Sequence, residues 1–296
     1  MTKKQDFLSV YYQSSDGLRL FARDYNAAGL NFTPVLCLPG LTRNSRDFET
    51  IAPWLARTRR IICPDFRGRG KSGYATDPSC YRPDVELADT IALLDHLQVA
   101  RVAVIGTSRG GLVGMLMSAM HRDRIAGLML NDIGSALDME GLLRIRSYIG
   151  KTVVFENFAA AADMLKQQNV GFHNLADEAW LAFARRLFRP VPGGVVADYD
   201  PALAATFVSV DDIKAGRASD VRKIYSTTAG MPVSVLRGAN SDLLSSATVA
   251  EMQTHNPDLD ATTVADRGHA PFLDETESVA AISRWLQRVD ENEGLR

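Results

Sequence analysis

Short, nearly continuous apolar runs recur along this chain. Residues 34–38, 60–63, 102–105, 127–130 and 233–236 are built mainly from Val, Ile, Leu, Met, Ala and Cys. An apolar run this short, without polar alternation, predicts a strand buried on both faces, as in a parallel sheet covered by helices. Longer segments of helical period lie between the runs. Leu87, Ile91, Leu94 and Leu97 form one stripe, with Asp84 placed to cap it, and Val279, Ile282, Leu286 and Val289 form another. Residues 110–120 are small and apolar all round, which suits a helix lying against the sheet. Near the N-terminus, Tyr11-Tyr12-Gln13 and Leu18-Arg19-Leu20-Phe21 flank Ser15-Asp16-Gly17, the signature of an antiparallel hairpin. The alternation predicts an α/β fold: a mostly parallel, doubly wound sheet preceded by that hairpin.

The alternation lapses between residues 136 and 229. Helical patterns at 142–149, 158–168 and 178–188 replace it, and Pro190, Pro192 and Gly193-Gly194 interrupt them. Strand signals return at Met231. The expected organisation is a core of residues 1–135 and 230–296, with a helical cap, 136–229, inserted into it.

Composition narrows the function. The 296 residues are 46% hydrophobic, with 33 basic and 35 acidic residues and a net charge of −2. Such balance points to a small-molecule substrate, with neither nucleic acid nor membrane as partner. Three unclustered cysteines, of which Cys37 and Cys63 lie in apolar runs, favour a reducing compartment, and the first residues do not resemble a secretory signal. The expectation is a cytoplasmic protein, in which the sequon Asn31-Phe32-Thr33 is coincidental. The pattern implies no metal and no cofactor, and does not determine the oligomeric state.

Against this background, Gly106-Thr107-Ser108-Arg109-Gly110 stands out. G-x-S-x-G between a strand and a helix is a nucleophile elbow: a sharp turn that needs glycines on either side and lifts the serine hydroxyl out of the chain. The following helix directs its free N–H groups toward a forming oxyanion. Ser108 is the expected nucleophile, with the N–H of Arg109 as one oxyanion donor. Leu38-Pro39-Gly40-Leu41 follows an earlier strand, and Leu41 is expected to supply the second. Among five histidines, His269 sits in a loop after the strand pattern at 261–264, within Asp266-Arg267-Gly268-His269-Ala270-Pro271, and is the expected base. As base it must be neutral, so activity should fall in acid. Two carboxylates follow strands: Asp132 in Asn131-Asp132-Ile133-Gly134, and Asp242 in Arg237-Gly238-Ala239-Asn240-Ser241-Asp242. Asp242 lies between Ser108 and His269 in a turn of small and polar residues and is the expected triad acid, with Asp132 as the alternative.

With these motifs in place, the chain resembles the α/β-hydrolase superfamily, in its cap-bearing esterase and C–C hydrolase branch. Leu38-Pro39-Gly40, the Ser108 elbow, residues 238–242 and Gly268-His269 carry the resemblance. So does Asp65-Phe66-Arg67-Gly68-Arg69-Gly70-Lys71-Ser72, similar to the family's D-x-R-G-x-G-x-S turn. The resemblance implies that Ser108, Asp242 and His269 form a triad. It makes Arg67, Arg69 and Lys71 a structural turn, although three such cations also suit a nucleic-acid patch. Two departures matter, the first for placement of the oxyanion donor and the second for the C–C reading. Pro39 replaces the histidine usual before Gly40, and Ala270 stands where C–C hydrolases of aromatic degradation carry Trp. Serine at the elbow is unlike the aspartate of dehalogenases and epoxide hydrolases. The expected activity is hydrolysis of a small carboxylic ester or lactone. C–C cleavage of a keto acid, cofactor-free perhydrolysis and ligand reception without turnover are the alternatives. Tyr148, Phe172, Trp180 and Phe183 are candidates either to line the pocket or to pack behind it.

Overall fold

A computed structural model describes residues 6–25, 32–217 and 220–295. The first five residues and Asn31 of the sequon lie outside the described residues. The apolar runs form strands whose side chains alternate between two cores. In β3 (Val35–Leu38), after the β1 (Leu8–Gln13) and β2 (Arg19–Tyr25) hairpin, Val35 and Cys37 enter one core and Leu36 and Leu38 the other. A period of two with both faces apolar is what a covered sheet requires. The helix α1 (Ile51–Leu55) leads to β4 (Ile61–Asp65), and α2 (Pro83–His96) leads to β5 (Val102–Thr107). Then follow α3 (Arg109–Met120) and β6 (Ile125–Asn131).

The α2 helix starts one residue before the expected cap. Arg82 occupies the cap position and Pro83 the first turn, where its missing N–H costs nothing; Asp84 lies inside that turn and pairs with Arg82.

Between β6 and the next core strand lie α4 (Met139–Tyr148), α5 (Phe158–Gln168), α6 (Asp177–Leu187), β7 (Phe188–Val191), β8 (Gly194–Ala197), α7 (Val210–Lys214) and α8 (Arg222–Tyr225). The segment is mainly helical, as expected, but the Pro190–Gly194 interruption is an antiparallel hairpin, β7 with β8. Its turn carries Gly193 at φ +84, and Pro190 is tolerated because the ribbon has only two strands. The core resumes with β9 (Val233–Gly238), α9 (Ser246–His255), β10 (Asp260–Val264) and α10 (Thr276–Asn292).

Sheet order is β1-β2-β4-β3-β5-β6-β9-β10, parallel from β4 to β10. One core gathers residues of α2, α3 and α9; the other gathers α1 and α10, with Trp285 fully buried. Register places the strand ends side by side: Leu38 opposite Gly106, Thr107 opposite Asn131, and Asn131 opposite Leu236. The loops leaving β3, β5, β6 and β9 therefore emerge at one edge, where an open parallel sheet collects its chemistry.

The D-x-R-G-x-G-x-S segment is structural. Arg67 and Arg69 are 1% and 0% exposed. Arg67 grips Asp89 through two 2.7 Å hydrogen bonds and also reaches Asp16. Asp65 accepts the N–H groups of Ser45 and Lys71. Cys37, Cys63 and Cys80 are free thiols, the first two buried. No helix of the described residues is long and apolar enough to cross a membrane.

Candidate active site

Ser108 stands between β5 and α3 at φ +51, ψ −113, a backbone conformation that a residue with a Cβ rarely adopts. The flanking glycines explain how the chain tolerates it. A Cβ on Gly106 would stand 2.5 Å from the Gly110 carbonyl oxygen, and one on Gly110 would stand 2.2 Å from that of Leu38. The hydroxyl oxygen of Ser108 is 3.0 Å from His269 Nε2. The expected pairing of these two residues is therefore present.

The carboxylate that meets His269 is not the one expected to. Asp132 Oδ2 lies 2.7 Å from His269 Nδ1, and Asp132 is fully buried. Asp242 instead pairs with Arg144 of α4, at 2.5 and 2.9 Å from Nε and Nη2. The reason is local. Asp132 follows β6 at φ +56, and the β9 turn surrounds its carboxylate. Oδ1 accepts Gly238 N–H at 2.7 Å, and Oδ2 accepts the Ser241 hydroxyl at 2.5 Å. The turn read as presenting Asp242 thus presents donors to Asp132. Burial opposes ionisation of Asp242, but hydrogen bonding and charge from Arg144 outweigh it, so its carboxyl is held below the usual range. That pair stays ionised at neutral pH.

Gly40 and Leu41 pass beside the nucleophile: a Cβ on Gly40 would stand 3.9 Å from Ser108 Cβ. The Leu41 carbonyl accepts from buried Arg69 Nε at 2.8 Å, which fixes that residue's backbone. Arg109 opens α3, so its N–H belongs to the first turn, whose donors have no acceptor within the helix. Both residues expected as oxyanion donors thus flank Ser108.

A buried carboxylate links them. Glu86 of α2, 0% exposed, is 2.8 Å from Arg69 Nη1 and 3.7 Å from Arg109 Nη1. Burial pulls the Arg69 guanidinium below its ordinary range, and Glu86 works against that. The turn motif brought Arg69 to notice, whereas nothing in the helical pattern distinguishes Glu86 from a solvated residue. Replacing Glu86 by Gln leaves two guanidiniums facing each other without a buried counter-charge. The expected loss is about 3–5 kcal/mol of folding stability, read from urea denaturation. A change below about 1 kcal/mol contradicts this account.

Above Ser108 lies a cavity of about 600 Å³. Its lining includes the apolar Phe155, Leu165, Phe183 and Phe188, and Arg144, Ser147 and Tyr148 of α4. Tyr148 and Phe183 line it, whereas Phe172 and Trp180 pack behind it against one another, with Phe172 stacked on Phe272 at 5.2 Å. The inserted segment is tied to the loops beneath it. Asn240 Nδ2 donates to the Gly171 carbonyl at 2.9 Å, His173 N–H donates to the Asp266 carbonyl, and Arg46 pairs with Asp198 at 2.6 Å. Among the described residues, no group of three or more His, Cys, Asp or Glu is placed to hold a metal ion.

The family model of the alpha/beta hydrolase fold matches residues 33–276. The 3-hydroxybutyrate-oligomer hydrolase of Cupriavidus necator is 35% identical over 258 residues, covering 85% of this chain and 87% of that protein. The crystal structure of an alpha/beta hydrolase from Novosphingobium aromaticivorans superposes with a TM-score of 0.89 at 40% identity, covering 96% of this chain and 99% of that one. The 2-hydroxymuconate semialdehyde hydrolase of Pseudomonas sp. strain CF600 is 33% identical over 98 residues, 33% of each chain.

Proposed function

The chain belongs to the alpha/beta hydrolase fold family and is an enzyme of that family, and from this premise we propose that it hydrolyses small carboxylic esters through an acyl-enzyme on Ser108. The carrying observation is the continuous line of hydrogen-bond distances from Ser108 Oγ to His269 Nε2 and from His269 Nδ1 to Asp132 Oδ2. His269 takes the serine proton as Ser108 Oγ attacks the ester carbonyl. The tetrahedral oxygen settles on the N–H groups of Leu41 and Arg109. His269 then returns the proton to the leaving alcohol, and the same residues activate water to release the acid. Asp132, rather than Asp242, holds the imidazole in the tautomer that leaves Nε2 free to accept. Residues 136–229 serve as the lid that excludes bulk water from this chemistry.

The relative matched over most of both chains, whose name specifies an oligomer of 3-hydroxybutyrate, supports an oligoester substrate class. Short linear oligoesters of hydroxy acids suit a cavity of about 600 Å³ with an aliphatic and aromatic wall. The 2-hydroxymuconate semialdehyde hydrolase matches only a third of the chain, and small Ala270 borders the cavity beside His269.

The test is incubation with p-nitrophenyl butyrate and with 3-hydroxybutyrate dimer and trimer, following nitrophenol and free monomer. Release of both products is expected. Inertness toward all three, with cleavage of a dienoic keto acid, overturns the ester assignment.

A further inference from the structure

We infer that the cavity is selective for esters carrying a free carboxylate remote from the scissile carbonyl, and that Lys151 binds that carboxylate. This rests on the ester-hydrolase assignment and adds to it the charge of the substrate.

Ester hydrolysis itself needs no cation in the pocket, because N–H groups meet the developing oxyanion. Yet the lining contains three cations, Arg43, Arg144 and Lys151, and no Asp or Glu. Two of the cations are balanced from outside the lining. Arg43 pairs with Asp47 and lies over the Phe183 ring, and Arg144 pairs with Asp242. Asp132 lies behind His269 and is hydrogen-bonded to it. Lys151 is the exception: among the described residues its ammonium has no hydrogen-bond or ion-pair partner.

The placement of Lys151 is set by the helix before it. Arg144, Ser147 and Tyr148 lie at i, i+3 and i+4 of α4, so they share one face, and all three border the cavity. After Tyr148 the chain turns through Gly150 at φ +81, and the Lys151 N–H donates to the Tyr148 carbonyl at 3.2 Å. Lys151 is exposed and borders the same cavity as that face. The lining also carries the apolar side chains of Phe155, Leu165 and Phe188. An aliphatic chain on those side chains, with an anion at Lys151, satisfies both kinds of lining. A neutral ester leaves the uncompensated cation unused. Lysine suits an exposed site because its flexible stem follows a mobile carboxylate as a point charge.

The experiment compares pairs of esters in which one member carries a free carboxylate and the other does not. The 3-hydroxybutyrate dimer and its methyl ester place the carboxylate on the alcohol side. Mono-p-nitrophenyl glutarate and p-nitrophenyl butyrate place it on the acyl side. For at least one pair, wild-type kcat/KM is expected to favour the anionic member about tenfold, chiefly through KM. The preference should shrink as salt rises from about 0.01 to 1 M, since Lys151 is exposed to solvent. Lys151→Met should abolish the preference, read as the ratio of kcat/KM for the two members of a pair, through a raised KM for the anionic member, and Lys151→Arg should restore that ratio. Equal treatment of both members by wild type, or an undiminished preference in Lys151→Met, overturns the carboxylate site and leaves the ester assignment standing. Absence of turnover of every ester overturns the ester assignment itself, and the carboxylate site with it.

Discussion

Ser108→Ala is expected to lower ester turnover by a factor on the order of 10⁴ or more and to abolish labelling by a fluorophosphonate probe. The hydroxyl is the group that His269 Nε2 faces at 3.0 Å, and the strained turn with φ +51 holds it there. Alanine keeps the Cβ, so the elbow and the contacts of Gly106 and Gly110 remain. The loss is then chemical, and a preserved unfolding midpoint will show it. Residual activity should reflect oxyanion stabilisation and binding alone. A Ser108→Ala protein that hydrolyses p-nitrophenyl butyrate normally, or still takes the probe at the same stoichiometry, removes Ser108 from the mechanism.

Asp132→Asn is expected to cost a factor on the order of 10⁴ in kcat, and Asp242→Asn less than about tenfold. The argument is one of donors and acceptors. The Asp132 carboxylate faces three donors: Gly238 N–H at Oδ1, and the Ser241 hydroxyl and His269 Nδ1–H at Oδ2. An amide has only one acceptor oxygen. With its NH₂ toward His269, it donates to Nδ1 and forces the proton onto Nε2, where it opposes the Ser108 hydroxyl. Turned the other way, the NH₂ meets the Gly238 N–H in a fully buried position, at the cost of an unpaired donor. Both orientations fail. Asp242 touches no reacting group: its partner is Arg144, and its side chain is 24% exposed. Steady-state kinetics of the two variants, with circular dichroism as the folding control, decide between the carboxylates. The opposite order of effects returns the role to Asp242.

Much of this arrangement is legible in the chain because it depends on neighbours in sequence. The strands β3, β5, β6 and β9 are apolar on both faces, so any sheet that buries them must be covered on both sides. The helical pattern at 158–168 matches the helix to the residue, and in the structure the Asn157 side chain caps its start. The elbow needs only five consecutive residues. The β7–β8 hairpin was not readable, because its strands are four residues long and one carries Pro190. The ribbon holds because its own Phe188 and Val195 are buried in a cluster with Phe172, Trp180 and Phe183 outside it.

The sequence by itself determined the sheet, the elbow that carries Ser108 and the loop that carries His269, since each of these follows from local pattern and chain direction. The choice between Asp132 and Asp242 belonged to the tertiary structure alone. Both follow adjacent strands of the same sheet, and their immediate neighbours are equally compatible with presenting a carboxylate. What separates them is contact at long range: Gly238 and Ser241 close on Asp132 from the next strand's turn, while Arg144 of the inserted helix claims Asp242 from 98 positions away. The same holds for Glu86 and Lys151, a buried charge and an exposed one, neither of which its sequence neighbours mark as such. Whether a charge meets a partner, a pocket or water is fixed only when distant segments come together.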